Sequence, residues 1–407
     1  MTGRVYAIAT LDTKGAELDY VRQCLAAAGA LVTTVDVGSG GPPTITADVP
    51  RERLKADAAE LSSGDRGRAI AAMSRALTAF LQAEHAAGRV AGVIGLGGSG
   101  GTALISAALR ALPIGLPKLL VSTVASGNTA PYVDCSDITL MYSVVDVAGL
   151  NAVSRRVLAN AAHAMAGMVL NRLPEGESRP TVGMTMFGVT TPCVTRVRET
   201  LEKLGFDCLV FHATGAGGRA MEALVDSGLI EGVLDVTTTE VADELVGGVF
   251  ASGPLRFEKL LQREIPLVLS LGALDMVNFG ALDTVPPQFR NRKLHVHNAN
   301  VTLMRTTADE NRRFGAWIAD KLNRSSAPLR MLIPEGGVSL IDVPGQPFHD
   351  PEADAALFDE LTNRLNVTDQ RRLIRLPYAI NAPEFADALV QHFLDVHSTG
   401  QEKTRDR

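Results

Sequence analysis

The residues best equipped for chemistry in this chain sit in short glycine-rich turns. Gly95-Leu-Gly-Gly-Ser-Gly-Gly-Thr102 follows the apolar run Val90 to Ile94 and precedes a helical pattern through Leu104 to Leu112. Glycines at Gly97, Gly98, Gly100 and Gly101 let backbone N–H groups approach a phosphate with no Cβ in the way. The following helix adds the favourable end of its dipole, and Ser99 and Thr102 offer hydroxyls. The turn lacks the G-K-[ST] of a Walker A loop and is not a strict G-x-G-x-x-G. Its plainer reading is a tight turn that only seats helix on strand, although five glycines in the seven residues 95–101 exceed that need. The chemistry expected is capture of a phosphate-bearing ligand, a nucleotide in the first place.

A second candidate is Thr10-Leu-Asp-Thr-Lys-Gly-Ala-Glu17. Lys14 would set a charge on a phosphate, Thr13 would cap the next helix, and Asp12 would hold Mg²⁺ or a ribose hydroxyl. Its plainer reading is a helix cap beside a solvated lysine. Ser126-Gly-Asn128-Thr and Tyr142-Ser-Val-Val-Asp146, with Gly149 and Asn151, are further polar turns at strand ends.

The later half carries different groups at the same kind of position. His212, Arg219, Asp235, Glu240, Asp275, His295, His297 and Arg305 fall in or beside strand-end loops, as does Pro334-Glu-Gly-Gly337. His212, Glu240 and His297 are the expected catalytic groups. His295 and His297, two apart, share one face of a strand and suit a metal, but no third ligand is evident and no metal site is expected. The absence of G-x-S-x-G leaves serine-hydrolase chemistry without local support.

The elements that must position these turns repeat. Val5 to Ala9 reads as a strand, LDTKG as a turn, Ala16 to Ala28 as a helix ended by Gly29, and Leu31 to Val37 as a second strand. From Pro180 the plan returns: TVGMTMF, GVTTP, a helix from Val194 to Leu204 ended by Gly205, then FDCLVFHA. Val21 pairs with Val197, Leu25 with Leu201, and Gly29 with Gly205. Further along, the strand opening at Gly92 pairs with that at Gly232, and LPKLLVST with IPLVLSLG. An ordered series of this kind predicts two Rossmann-like α/β lobes, each a doubly wound, mostly parallel sheet, related by a diverged internal duplication. The lobes are assigned to 1–175 and 180–398, with a boundary near 172–180, where RLPEGESRP follows a helix from Asn151 to Leu170. A last helix spans Pro383 to His397, and 399–407 reads as a disordered tail.

At 407 residues the chain is long enough for two or three cores, and 38 glycines with 5% aromatics suit many strand-to-helix turns. A net charge of −6 and no Lys/Arg run argue against a nucleic-acid partner. No apolar stretch reaches the roughly 18 residues of a membrane span, and no signal peptide is read at the start. Four scattered cysteines without C-x-x-C spacing fit a reducing cytoplasm.

TLDTKGAE, GLGGSGGT and ASGNTAPYV, followed by FHATGAGGRAME, LDVTTTEVADEL and PEGGVS, together resemble the ATP-binding domain family of the tomato mosaic virus resistance protein. The likeness covers about residues 3–395. It implies two Rossmann-like lobes, ATP bound by the first, and a homodimer. The positions it carries over are Thr13, Lys14, Gly97, Gly98, Ser99, Gly100, Gly101 and Thr102, with Ser126 and Asn128. The resemblance supplies no reaction. The function expected is an ATP-dependent enzyme acting on a small polar or acidic metabolite between the lobes, with ATP, and Mg²⁺ beside it, as cofactor. The alternatives are a nucleotide-responsive regulatory protein without turnover, and an NAD(P)-dependent oxidoreductase. The last is disfavoured because LDTKG lacks the three glycines a dinucleotide needs.

Overall fold

The computed structural model describes residues 3–171 and 179–405. The chain divides into two compact units, Met1–Gly176 and Glu177–Arg407. Most of the segment expected to hold the boundary, 172–178, lies outside the described residues.

The first unit is built on β1 (Arg4–Ala9), β2 (Val32–Asp36), β3 (Val90–Gly97), β4 (Lys118–Ser122) and β5 (Thr139–Tyr142), all parallel, in the order β2-β1-β3-β4-β5. Strand side chains alternate between faces, so Val5, Ala7 and Ala9 join one core and Tyr6 and Ile8 another. Helices Leu11–Ala27 and Ala152–Leu170 cover the first face. Helices Arg66–Ala86 and Ser99–Arg110 cover the second. Burial on both faces is why these strands read as continuous apolar runs.

Two boundaries differ from the sequence reading. The first helix starts at Leu11 rather than Ala16 and absorbs LDTKG, with Lys14 off helical geometry at φ −130°. The cause lies on β2, where Asp36 Oδ1 accepts a hydrogen bond from Leu11 N at 3.0 Å and supplies the cap. Thr13 is therefore inside the first turn and does not cap the helix. Strand β3 runs past Ile94 to Gly97, and the next helix opens at Ser99. A Cβ at Gly95 would lie 2.7 Å from Ile105 Cγ2, and one at Gly97 would lie 2.5 Å from Thr102 N. These two glycines let the helix close onto the sheet.

The second unit repeats the plan and extends it. β6 (Thr181–Met186), β7 (Asp207–His212), β8 (Gly232–Thr237) and β9 (Leu267–Gly272) are followed by an antiparallel insertion of β10 (Met276–Phe279), β11 (Leu294–Asn298) and β12 (Val301–Arg305). β13 (Leu329–Pro334) and β14 (Arg371–Leu376) complete a parallel sheet in the order β14-β13-β9-β8-β6-β7. Apart from the added edge strand, this is the order of the first sheet. Val21, Leu25, Val197 and Leu201 are all fully buried. Gly29 and Gly205 end their helices at φ +92° and +91°, a left-handed conformation that favours glycine. The last helix runs Pro383–Arg405, through most of the segment that reads as a tail in the sequence. Among the described residues, no helix is long and apolar enough to cross a membrane.

Candidate functional site

In a doubly wound sheet of order 2-1-3-4-5, the connections leave β1 and β3 toward opposite faces, and ligands bind beyond the carboxyl ends at that switch point. In the first unit those ends carry Thr10–Gly15 and Gly97–Gly101, with Thr123–Asn128 beyond the neighbouring β4. The topology therefore gathers Asp12, Thr13, Lys14, Gly97, Gly98, Ser99, Gly100, Gly101, Ser126 and Asn128 at one end of one sheet.

Within the glycine turn the residues divide by role. Gly98 is the N-cap of the twelve-residue helix Ser99–Arg110, and no side chain caps that helix. A Cβ at Gly98 would meet nothing nearer than Thr123 Oγ1 at 3.9 Å, so its side faces open space. Ser99 is exposed. Thr102 is not available to a ligand: it is fully buried, and its hydroxyl lies 2.6 Å from Ser122 Oγ and 3.3 Å from Gly97 O. Arg66, which the sequence reading missed, brings a cation to the turn, its Nη2 lying 3.6 Å from where a Gly100 Cβ would be. Arg66 is exposed and forms no ion pair among the described residues. It opens the helix of the preceding crossover, and only the fold brings it here.

The other first-unit candidates are partly committed. Lys14 Nζ donates to Val147 O at 2.5 Å, which ties it to the loop after β5. Thr13 Oγ1 lies 2.9 Å from Thr10 Oγ1. Asp12 Oδ2 accepts from Gly40 N at 3.0 Å, while Oδ1 is buried without a hydrogen-bond partner among the described residues. Ser126 is exposed, and Asn128 Oδ1 accepts from Ala130 N at 3.2 Å.

The expected catalytic groups of the second unit differ in exposure and in what already holds them. His212, at the end of β7, is exposed with its ring 5.3 Å from that of Phe187. His297 is exposed on β11 in the antiparallel insertion. Glu240 is fully buried: Oε1 accepts from Gly215 N (2.7 Å) and Gly218 N (3.1 Å), and Oε2 pairs with Arg256 Nε (2.9 Å). Its carboxylate fills the amide end of helix Ala216–Asp226 where an external anion would otherwise sit. Glu240 is thus a structural counter-ion here. Arg256 also meets Glu222 (3.0 Å) and Asp235 (2.7 Å), both buried. Burial opposes its charge, but these three carboxylates outweigh that and raise its pKa. Among the described residues no group of three His, Cys, Asp or Glu is arranged to hold a metal.

A second ionic knot lies beyond β9 and β13. Arg305 Nη2 reaches Asp354 at 2.7 Å and Asp342 at 3.2 Å, while its Nε donates to Phe348 O at 2.7 Å. Asp275, fully buried, accepts from Ser339 Oγ at 2.8 Å on Oδ2 and leaves Oδ1 without a hydrogen-bond partner among the described residues. One guanidinium faces three carboxyl groups. Burial first, then the mutual repulsion of Asp275, Asp342 and Asp354, raises the Asp342 pKa. The sequence offered no signal for this knot beyond Asp275, Arg305 and the PEGG turn, because its members span residues 275–354.

Comparison with known proteins places the chain. A UPF0261 protein of Rhizobium meliloti is 54% identical over 97% of this chain and 99% of its own length. A UPF0261 protein of Clostridium tetani is 44% identical over 97% and 99%. The ToMV resistance protein Tm-1(GCR237) of Solanum lycopersicum is 50% identical over 97% of this chain, which spans 56% of the tomato protein. The N-terminal domain of the uncharacterised protein family UPF0261 matches residues 3–174 and its C-terminal domain residues 179–397, one to each unit of the fold, and the chain belongs to that family.

Proposed function

We propose that this chain binds ATP on its first unit and uses it in chemistry on a small polar or acidic metabolite held by the second. The observation that carries the nucleotide reading is the uncapped amide end of helix Ser99–Arg110 at the switch point, with Gly98 facing open space. Arg66 and the backbone of Ser99, Gly100 and Gly101 would meet the phosphates. Asp12 Oδ1, buried and without a partner among the described residues, fits Mg²⁺, which would neutralise phosphate charge. The resemblance of TLDTKGAE, GLGGSGGT and ASGNTAPYV to an ATP-binding domain family supports the choice of nucleotide. Asp36 speaks against a dinucleotide, since its carboxylate serves Leu11 N and Gly38 N and is 2% exposed.

A nucleotide-responsive binding protein without turnover is the second reading, and the internal commitment of Glu240 favours it. Homodimerisation and a cytoplasmic setting belong to either reading; no disulfide joins the cysteines among the described residues, which suits a reducing compartment.

The test is thermal unfolding of the full chain with millimolar ATP or ADP, with and without Mg²⁺. A ligand at about 100 Kd stabilises the folded state by about 2.7 kcal/mol. In a domain of this size that raises the transition by about 5–10 °C. No shift with any of these ligands removes the nucleotide from the reading.

A further inference from the structure

The arginines of β14 are held in different ways. Arg371 is buried and donates to Asn323 Oδ1, Asn323 O, Asn366 O and Ser325 O. Arg375 pairs with Glu335 at 2.7 Å and Asp359 at 3.1 Å. Arg372 is exposed and makes neither a side-chain hydrogen bond nor an ion pair among the described residues. Its register partner on β13 is Arg330, so both side chains leave the sheet on one face, with backbones about 4.8 Å apart. Arg330 is 9% exposed. Its Nη1 donates to Leu329 O at 3.0 Å and to Gln370 O at 2.9 Å. Among the described residues, Nε and Nη2 of Arg330 have no partner and no carboxylate pairs with it.

Like charges directly opposite each other destabilise a sheet, and a buried charge is ordinarily paired. Edge strands carry charge to deter pairing with other chains, but Arg372 alone would serve that end, and Arg330 stands one strand inward. The last helix, Pro383–Arg405, packs on this face. Leu332 and Ile374, each two residues on from these arginines, share a core with its Phe385, Leu389 and Phe393. The helix also brings His392 and Asp395. Burial first, then the charges of Arg330 and Arg372, lowers the His392 pKa, with Asp395 opposing. Asp395 is exposed, and its Oδ1 accepts from Gln391 Nε2 at 2.9 Å. One carboxylate thus stands against two guanidinium groups, and the cluster keeps a net positive charge.

We propose that Arg330 and Arg372 form a site for a small phosphate dianion, free or as the head of a phosphomonoester, at the amino ends of β13 and β14. Nε and Nη2 of Arg330 and the fork of Arg372 offer charged N–H donors to one tetrahedral group from two neighbouring strands. Two negative charges match two guanidinium groups, which a single carboxylate does not. The bound dianion offsets their repulsion and ties edge strand β14 to β13. This site lies at the opposite end of the sheet from the Pro334–Gly337 turn, apart from the nucleotide and metabolite sites proposed above.

The experiment titrates the full chain, labelled at histidine, with inorganic phosphate or methyl phosphate at fixed ionic strength. NMR follows the ring signals of His392, assigned with His392→Gln. A probe that binds should shift those signals saturably and raise the pH at which the ring titrates, because a nearby dianion favours the imidazolium. The tighter of the two probes identifies the ligand as free phosphate or a monoester, and acetate should leave the signals unmoved. Arg372→Gln should weaken the tighter probe at least about tenfold, the loss of one charged hydrogen bond, with unchanged circular dichroism. Arg330→Gln should do the same; if it fails to fold, Arg372→Gln decides alone. No saturable shift with either probe, an equal response to acetate, or native affinity in a folded Arg372→Gln chain overturns the proposal. Phosphate captured by the glycine turn after β3 would be indifferent to Arg372→Gln, so the two sites are told apart.

Discussion

Gly97 and Gly98 are neighbours in sequence, yet the structure assigns them opposite duties, and alanine separates the two. A Cβ on Gly97 would sit 2.5 Å from Thr102 N and 2.7 Å from Gly101 C, both backbone atoms of the helix packed on the sheet. Neither can rotate away, so the helix must shift. Overpacking of this kind costs about 1–3 kcal/mol. Restricting the unfolded chain returns about 0.4–1 kcal/mol. The net loss for Gly97→Ala is then about 1–2 kcal/mol, or about 2–8 °C in the melting temperature for a domain of this size. Gly98 has φ −75°, which alanine adopts without strain, and a Cβ there has 3.9 Å of clearance. Gly98→Ala should therefore be neutral, or more stable by about 0.4–1 kcal/mol. Gly98→Val should keep the fold and weaken ATP at least about tenfold, because its methyl groups occupy the space before the helix amides. Urea denaturation gives the stabilities and calorimetric titration the affinities. Native stability in Gly97→Ala would refute the packing argument, and native ATP affinity in Gly98→Val would refute the phosphate cradle.

Arg66→Ala should weaken ATP by about 1.5–3 kcal/mol, the range of a charged hydrogen bond, while adenosine affinity stays unchanged; equal losses for both ligands would place Arg66 away from the phosphates. Arg256→Met should destabilise the second unit by about 3–5 kcal/mol in urea, because Glu222, Asp235 and Glu240 would keep their buried charge with no cation, and a loss below about 1 kcal/mol would show the cluster to be unimportant. Burial pushes the Asp243 carboxyl up to about 7, against the pull of hydrogen bonds from Asn278 and Phe250. The unfolded group titrates near 3.9, so between these values the native state binds the extra proton and stability falls as pH rises. Asp243→Asn should flatten the slope of unfolding free energy between about pH 4 and pH 7, even if the variant is less stable throughout; an unchanged slope would assign it to other groups.

Most of the fold was legible in the sequence because its signals are local. Apolar runs marked the strands, Gly29 and Gly205 marked equivalent helix ends, and the ordered pairs revealed two units with one plan. What sequence missed was set by contacts between distant segments. The first helix begins at Leu11 because a carboxylate from β2 caps it, and no pattern within LDTKG carries that information. Glu240 looked catalytic because it stands at a strand end, but two amides and a guanidinium from other segments claim it. Thr102 looked like a ligand hydroxyl until Ser122 was found beside it. The switch-point glycines were readable as a group, whereas their division into packing and open positions needed the helix in place. Arg66 belongs to no motif at all and reaches the glycine turn through a crossover connection.

Asp36 has a consequence for how readily this scaffold changes its ligand. Its carboxylate bonds the first amide of helix Leu11–Ala27 and the amide of Gly38, so the amide end behind β1 already contains a negative charge made by the chain itself. A pyrophosphate directed there would have to displace a covalently tethered competitor whose effective concentration no free ligand can match. Swapping glycines into LDTKG would therefore not turn this chain into a dinucleotide enzyme while Asp36 remains. The resident anion leaves the turn after β3 as the open entry at the switch point, a form of specificity set before any ligand arrives.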